Sequence, residues 1–222
     1  MRKFVSRSLV CTIALLCVVT RLHGQDVTAE AALARLQDGN ARFAADKPTT
    51  RDVTQKRRDE VAKGQHPFAV ILTCADSRVS PELIFDQGLG DVFVIRVAGN
   101  ITDPAVLGSI EYAVEHLKAP LVVVLGHEKC GAVKAVLDKG HAEGNLEKLL
   151  KEVHPGDKLP DDKDDALNQG IKNNVLFHAK QLTGQSTLLK DFVEHDRIKV
   201  AAGVYSLKSG KVDWLDLAKG SK

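Results

Sequence analysis

A thiol, a carboxyl and a guanidinium group follow one another closely at the end of an apolar segment. Residues 68–73 are mostly apolar, which is typical of a short buried strand, and Cys74, Asp76 and Arg78 come directly after them. Open α/β sheets bind their ligands outside the carboxyl ends of the strands. We therefore expect these three side chains to lie at the mouth of such a sheet.

A second apolar segment, residues 121–126, ends in the same way and presents His127 and Cys130. Two thiols and one imidazole are the soft ligands that zinc prefers, and three protein ligands are typical of an open zinc site. The fourth position is then left for water or for the nearby Asp76. The two segments together predict one zinc site built on two strand ends.

A disulfide is the alternative for Cys74 and Cys130, because an oxidising compartment would permit one. Each cysteine, however, ends a buried strand beside other ligand-type or charged groups, and this setting favours zinc. The chain lacks the second histidine of a zinc-protease helix and the Pro-Cys-x-x-Cys of zinc deaminases. Structural zinc sites carry four protein ligands, so the pattern indicates a catalytic metal.

The N-terminus has the pattern of a secretory signal peptide. Basic residues precede an apolar run over residues 9–20, and a plausible cleavage site precedes Gln25. We therefore predict a signal peptide over residues 1–24, a single domain over residues 25–222, and a periplasmic or secreted protein. The predicted signal peptide contains Arg2, Lys3, Arg7 and Arg21.

Removal of that segment changes the formal charge of the chain from +2 to −2, because it takes away four of the 31 basic residues and none of the 29 acidic ones. No basic field then remains that would indicate nucleic acid or an anionic membrane as a partner. The cut also removes Cys11 and Cys17, so the mature chain keeps only the two cysteines of the predicted site.

The remaining elements predict an α/β fold with a mainly parallel central sheet and flanking helices. Residues 92–96 read as a second strand, and Asp103-Pro104 is an N-cap with proline at the first helical position. A strand, a helix and the strand before His127 form a parallel crossover at this spacing. Residues 198–206 and 212–215 predict a C-terminal antiparallel hairpin.

Other segments give weaker signals. Residues 29–43 carry an apolar stripe at helical spacing, which predicts an N-terminal helix that must pack on something. Residues 47–58 read as a polar connector, and the acidic run at 161–165 reads as a solvated loop. Arg96 could tether either the Asp76–Arg78 segment or the sheet. Tyr205 could belong to the core or line the site.

Two motifs resemble those of one family. Cys74-Ala-Asp-Ser-Arg78 and Gly126-His127-x-x-Cys130-Gly131 are similar to the motifs of the β-class carbonic anhydrases, here in a bacterial, exported, signal-peptide-bearing form. The similarity extends over residues 28–216, including Asn40-Ala-Arg-Phe43, Arg96-Val-Ala-Gly-Asn100 and Gly108-Ser-Ile-Glu-Tyr112.

The resemblance implies the roles of individual residues. It implies one zinc ion per chain on Cys74, His127 and Cys130, and a catalytic dyad of Asp76 and Arg78. The implied reaction is reversible hydration of carbon dioxide to bicarbonate, by attack of zinc-bound hydroxide that the dyad orients. In a closed form, Asp76 itself would be a fourth zinc ligand. Gln87 and Gly131 would be the substrate-binding residues.

The resemblance also bears on partners. It implies a homodimer or tetramer in which the N-terminal helix packs on a partner subunit, so that Gln87 could reach the partner's zinc. Ile71 stands where one branch of the family carries the tryptophan of a bicarbonate-binding triad, so that inhibitory site is not expected here. A hydrolase acting on carbon disulfide and a non-catalytic zinc protein remain as alternative functions.

Overall fold

The computed structural model describes residues 27–49 and 51–217, so the predicted signal peptide lies outside the described residues. One sheet has the strand order β2-β1-β3-β4-β5. The first four strands pair in parallel, whereas β5 is antiparallel to β4. The prediction of a mainly parallel sheet with a C-terminal antiparallel hairpin is confirmed. The strands are β1 Ala69–Thr73, β2 Val92–Arg96, β3 Leu121–His127, β4 Lys199–Tyr205 and β5 Val212–Leu215.

Helices flank both faces of this sheet, and a 3₁₀ turn, Ala98–Asn100, follows β2. None of the helices in the described part of the chain is long and apolar enough to cross a membrane. The helices are α1 Ala29–Ala44, α2 Gln55–Val61, α3 Pro81–Ile84, α4 Pro104–Glu115, α5 Gly131–Leu137, α6 Gly144–Lys151, α7 Lys163–Gln185 and α8 Thr187–Glu194.

The alternation of side chains along the strands divides the interior into two cores. Val70 and Leu72 of β1 face the larger core, which also contains side chains of α4, α7 and α8. Ala69 and Ile71 face the smaller core, which contains side chains of α1 and α3. Ile71 is fully buried, so the position where a tryptophan was considered is a core position here. The central strands are covered on both faces, which explains their continuous apolar sequence.

The N-terminal helix packs on its own chain. Ala32 and Leu36 are fully buried in the smaller core, beside Phe68 and Phe85. The apolar stripe of α1 was expected to pack on a partner subunit, but its burial is explained by contacts within one chain. Leu33 and Phe43 of the same stripe are only partly buried, so packing of this helix on a partner subunit stays a prediction.

Two local predictions were wrong. The connector predicted over residues 47–58 contains the start of α2, which has no buried residues and is N-capped by the Thr54 side chain. The acidic run at 161–165 is not a loop throughout, because α7 begins at Lys163 and the Asp162 side chain accepts from the backbone N–H groups of Asp164 and Asp165. In both cases capping, rather than an apolar stripe, marks the start of the helix.

Asn40 of α1 joins three elements. Its side-chain amide donates to the carbonyl oxygens of Ile84, at 3.2 Å, and Gly210, at 2.8 Å, and its Oδ1 accepts from the Val212 N–H at 2.8 Å. Asn40 is only 6% exposed, so water cannot easily replace these partners. The contacts fix α1 to the end of α3 and to the β4–β5 hairpin.

We expect Asn40→Ala to lower the free energy of unfolding by about 3 kcal/mol, because a buried polar group that loses its partner costs about 1–3 kcal/mol. Urea unfolding measures the change. Asp38→Ala, at an exposed position of the same helix, is the matched control and should leave stability nearly unchanged. Equal effects of the two substitutions would show that the Asn40 contacts contribute nothing.

Candidate metal centre

The pairing of β1 with β3 brings the two predicted ligand segments together. Thr73 is in register with Leu125, and its hydroxyl donates to the Leu125 carbonyl oxygen at 2.9 Å. Cys74 therefore leaves β1 beside the end of β3, where His127 lies. The ligand atoms of Cys74, His127 and Cys130 all lie within 4.8 Å of one another, and all three residues are buried.

Cys130 is positioned by the tight turn between β3 and α5. Lys129 adopts a left-handed conformation with φ 54°, which reverses the chain so that Cys130 becomes the N-cap residue of α5. Both Cys74 and Cys130 are free thiols in the structure, so the disulfide alternative is not observed.

The imidazole of His127 is oriented for metal binding. Its Nδ1 lies 2.8 Å from the backbone carbonyl oxygen of Glu128, which requires Nδ1 to carry the proton. The Nε2 atom therefore has a lone pair, and it is buried with no hydrogen-bond partner among the described residues. A buried acceptor beside two thiols is a costly arrangement unless a metal ion satisfies it. The donor set fits zinc.

The two thiols strongly affect each other. The hydrogen bond between them lowers the pKa of Cys74 far below that of a free thiol and raises the pKa of Cys130. Burial opposes the first shift and adds to the second. A hydrogen bond from the Gly99 N–H, 3.4 Å from the sulfur, also lowers the pKa of Cys74. The pair is therefore prepared to carry negative charge, which a divalent cation can share.

Asp76 and Arg78 form a two-point ion pair at the edge of the thiol–imidazole cluster. Arg78 Nε donates to Asp76 Oδ1 at 2.9 Å, and Nη2 donates to Oδ2 at 2.7 Å. These hydrogen bonds hold the pKa of Asp76 well below its usual range, although partial burial opposes the shift. Asp76 Oδ2 lies 3.9 Å from His127 Nε2. The carboxylate is thus ionised and close to the ligand atoms.

Arg96 also supports this segment. Its Nη2 donates to the backbone carbonyl oxygen of Asp76 at 2.7 Å. Of the two possibilities left open by the sequence, the structure shows the tether to the Asp76–Arg78 segment. Tyr205, which the sequence placed either in the core or beside the site, is 6% exposed and packs in the smaller core against Phe43.

The two predicted substrate-binding residues, Gly131 and Gln87, differ in their exposure to solvent. Gly131 is exposed at the start of α5, and a Cβ atom built there would meet nothing within 4 Å. Gln87 is 3% exposed and lies beside α1. Its Oε1 accepts from Arg35 Nε at 2.9 Å, and its Nε2 donates to the Phe85 carbonyl oxygen. The role of either residue toward substrate stays a prediction.

Sequence reasoning missed the role of Gly99. The residue lies in a quoted motif, but no function was assigned to it. Its φ of +74° is a conformation that glycine adopts readily, and a Cβ atom there would lie 3.0 Å from the Val153 side chain and 3.2 Å from Ala132. The motif does not reveal such a close approach, because Val153 and Ala132 are distant in sequence from Gly99.

Comparisons with known proteins agree with this geometry. The carbonic anhydrase family profile matches residues 69–212. A carbonic anhydrase of Mycolicibacterium smegmatis is 41% identical over 194 residues, which cover 82% of this chain and 91% of that protein. Carbonic anhydrase 2 of Mycobacterium tuberculosis is 58% identical over 107 residues, 48% of this chain and 52% of that one.

A solved structure gives the same result. The β-carbonic anhydrase of Coccomyxa, determined with acetazolamide, aligns with a TM-score of 0.67 and 29% identity over 82% of this chain and 86% of that one. A mainly parallel sheet with a buried thiol–imidazole cluster at its strand ends indicates an α/β protein with a zinc site. The chain belongs to the carbonic anhydrase family, in its β class, and Cys74, His127 and Cys130 are the residues placed to hold the zinc that this family uses.

Proposed function

We propose that this protein hydrates carbon dioxide reversibly, with Asp76 and Arg78 as its catalytic dyad. The observation that carries the proposal is the position of the Asp76 carboxylate, bound at two points by Arg78 and 3.9 Å from the ligand nitrogen of His127. A surface ion pair contributes little to stability, whereas a carboxylate held beside an open metal position can direct a reacting water.

Zinc, when bound, supplies a Lewis acid that lowers the pKa of a coordinated water to about 7. The chain contributes orientation. Asp76 is ionised and can only accept hydrogen bonds, so it fixes the direction of the O–H group of the attacking water. Arg78 holds both carboxylate oxygens in a fork, which keeps Asp76 from turning toward the ligand cluster.

The short distance between Asp76 and His127 Nε2 supports a closed form of the site. If Arg78 released Asp76, the carboxylate could become the fourth ligand and exclude water. Because the folded-state pKa of Asp76 is depressed, the ion pair is present above the unfolded carboxyl pKa of about 3.9 and is lost only as the pH falls through the lower folded value. A change of activity near pH 7 would therefore not report protonation of Asp76.

Gly131 and Gln87 complete the proposed site as substrate-binding residues. The support for Gly131 is its place directly after Cys130 and the open space where a Cβ atom would stand. For Gln87 the support is the resemblance, together with an amide whose carbonyl end is fixed by Arg35.

We expect Arg78→Ala to lower kcat for carbon dioxide hydration about 100-fold, the size of effect typical when a catalytic group is misplaced by about 1 Å. Zinc content should stay at one ion per chain, because Arg78 is not a ligand. Stopped-flow hydration and metal analysis measure the two quantities. Wild-type protein treated with a chelator should lose activity because it loses zinc, and it should regain activity when zinc is added.

Asp76→Asn tests the carboxylate itself, since the amide is a weaker ligand and a poorer acceptor. It should also lose activity and keep zinc. Lys151→Ala removes an exposed ion pair with Glu147 and is the matched control, with unchanged activity expected. If Arg78→Ala hydrates carbon dioxide at nearly the wild-type rate from acidic to alkaline pH, the Asp76–Arg78 pair is only a surface salt bridge and has no catalytic role.

We also propose that the protein is a homodimer or a multiple of one. The supporting feature is β2, which forms one edge of the sheet and carries only partly buried apolar side chains. Beside it, Tyr112 of α4 is 47% exposed and contacts the Phe93 ring. An apolar sheet edge invites pairing with another chain.

Sedimentation should find no stable monomer at micromolar concentration. Tyr112→Arg should shift the protein toward monomer, because it places charge in this apolar edge. Leu146→Arg, at another exposed apolar side chain, should leave the assembly unchanged. A wild-type protein that sediments as an active monomer would contradict the dimer.

Export is the last part of the proposal. The basic residues before the apolar run at 9–20, and the polar residues after it, support a signal peptide over residues 1–24 and a periplasmic or secreted mature protein. Expression of the full chain in a bacterium, followed by cell fractionation and N-terminal sequencing, should give a periplasmic or secreted protein that begins at or near Gln25. Retention of Met1 in a cytoplasmic fraction would refute export.

A further inference from the structure

Asn174 is a polar residue in the interior of α7, where its neighbours are apolar. It is 1% exposed, and Ile171 and Val175 on the same helix are fully buried in the larger core. Burial of an amide is unfavourable unless its hydrogen bonds are made. Asn174 makes two, and their partners show what the residue holds in place.

The first partner is Gly99, in the 3₁₀ turn behind the ligand cluster. Asn174 Nδ2 donates to the Gly99 carbonyl oxygen at 2.8 Å. The N–H of the same glycine donates to Cys74 Sγ at 3.4 Å. Only the two backbone dihedrals of Gly99 separate its N–H from its carbonyl, so anchoring the carbonyl restricts the directions that the N–H can take.

A glycine needs this restraint more than other residues do. Without a Cβ atom it can occupy several regions of φ/ψ space at similar energy, and Gly99 is held at φ +74°. Rotation of its peptide groups would turn the N–H away from the sulfur. While the N–H stays directed at Sγ, the contact helps to fix the position of the Cys74 sulfur.

The second partner closes the other side of the turn. Asn174 Oδ1 accepts from the His154 N–H at 2.8 Å. The preceding residue, Val153, supplies the side chain that would lie 3.0 Å from a Cβ atom at Gly99. One side chain thus holds both the glycine and the segment that packs against it.

We propose that Asn174 is a positioning residue for the zinc ligand Cys74 and acts through the Gly99 N–H. Its side-chain hydrogen bonds go to Gly99 and His154 and not to a metal ligand. The groups that orient metal ligands from behind typically change metal affinity 10–100-fold when removed. The inference rests on the zinc site of the proposed function and is independent of the Asp76–Arg78 dyad.

The chain offers a matched control in the adjacent residue. Asn173 also lies on α7, and its Nδ2 donates to the Pro155 carbonyl oxygen at 2.7 Å. Asn173 therefore anchors α7 to the same connecting segment without a bond to Gly99. Asn173→Ala removes one helix-to-segment hydrogen bond, whereas Asn174→Ala also releases the glycine. Asn174→Asp keeps an acceptor for the His154 N–H and loses the donor to Gly99.

The experiment measures zinc affinity by competition with a chelator, the thiolate-to-metal charge-transfer band of the cobalt-substituted protein, and Tm. We expect Asn174→Ala and Asn174→Asp to bind zinc about 10-fold more weakly and to shift the band. Asn173→Ala should lower Tm while zinc affinity and the band stay at wild-type values. Wild-type affinity and an unshifted band in folded Asn174 variants, with only Tm lowered, would overturn the inference.

Two further outcomes are distinguishable. A wild-type protein that binds no zinc refutes the proposed function and this inference together, whereas zinc-loaded but unaffected variants refute the inference alone. If neither Asn174 variant folds, NMR of wild-type protein loaded with a magnetic cadmium isotope decides. A scalar coupling between the metal and the Gly99 amide proton supports the positioning role, and its absence refutes it.

Discussion

The register of β1 against β3 is the constraint on which the site depends. Thr73 pairs with Leu125, and the Thr73 hydroxyl bond to the Leu125 carbonyl reinforces the match. A shift by one residue would turn every side chain of β1 to the opposite core and move Cys74 away from His127. Burial of β1 on both faces excludes such a shift, because the two cores differ in size and composition.

Most of the hydrogen bonds that position the site residues at these two strand ends involve a backbone carbonyl or N–H group. His127 is oriented by the Glu128 carbonyl, Cys74 by the Gly99 N–H, and the Asp76 segment by Arg96. Backbone partners move little once the sheet is formed. Rigid orientation of this kind lets ligands meet a metal without reorganisation, which is the arrangement that catalysis favours.

Much of this could be predicted from the sequence, for physical reasons. The buried strands have continuous apolar segments, and three soft ligands at their ends indicate a zinc site without knowledge of the fold. Helix α2 was missed because it buries no residue and thus has no apolar stripe. Asn174 could not be assigned, because a polar residue within a helix usually faces solvent, and its partners are distant in sequence.

The spacing of the ligands along the chain has a consequence for the unfolded protein. Thr73 and Leu125, which precede the ligand residues on the two strands, are 52 positions apart. A metal ion that stayed bound to Cys74, His127 and Cys130 would close a loop slightly longer than this, as a covalent cross-link does. Cross-links across loops of this size reduce the entropy of the denatured chain by an amount worth about 4 kcal/mol. The ion would then restrict the disordered chain as well as serve the folded enzyme.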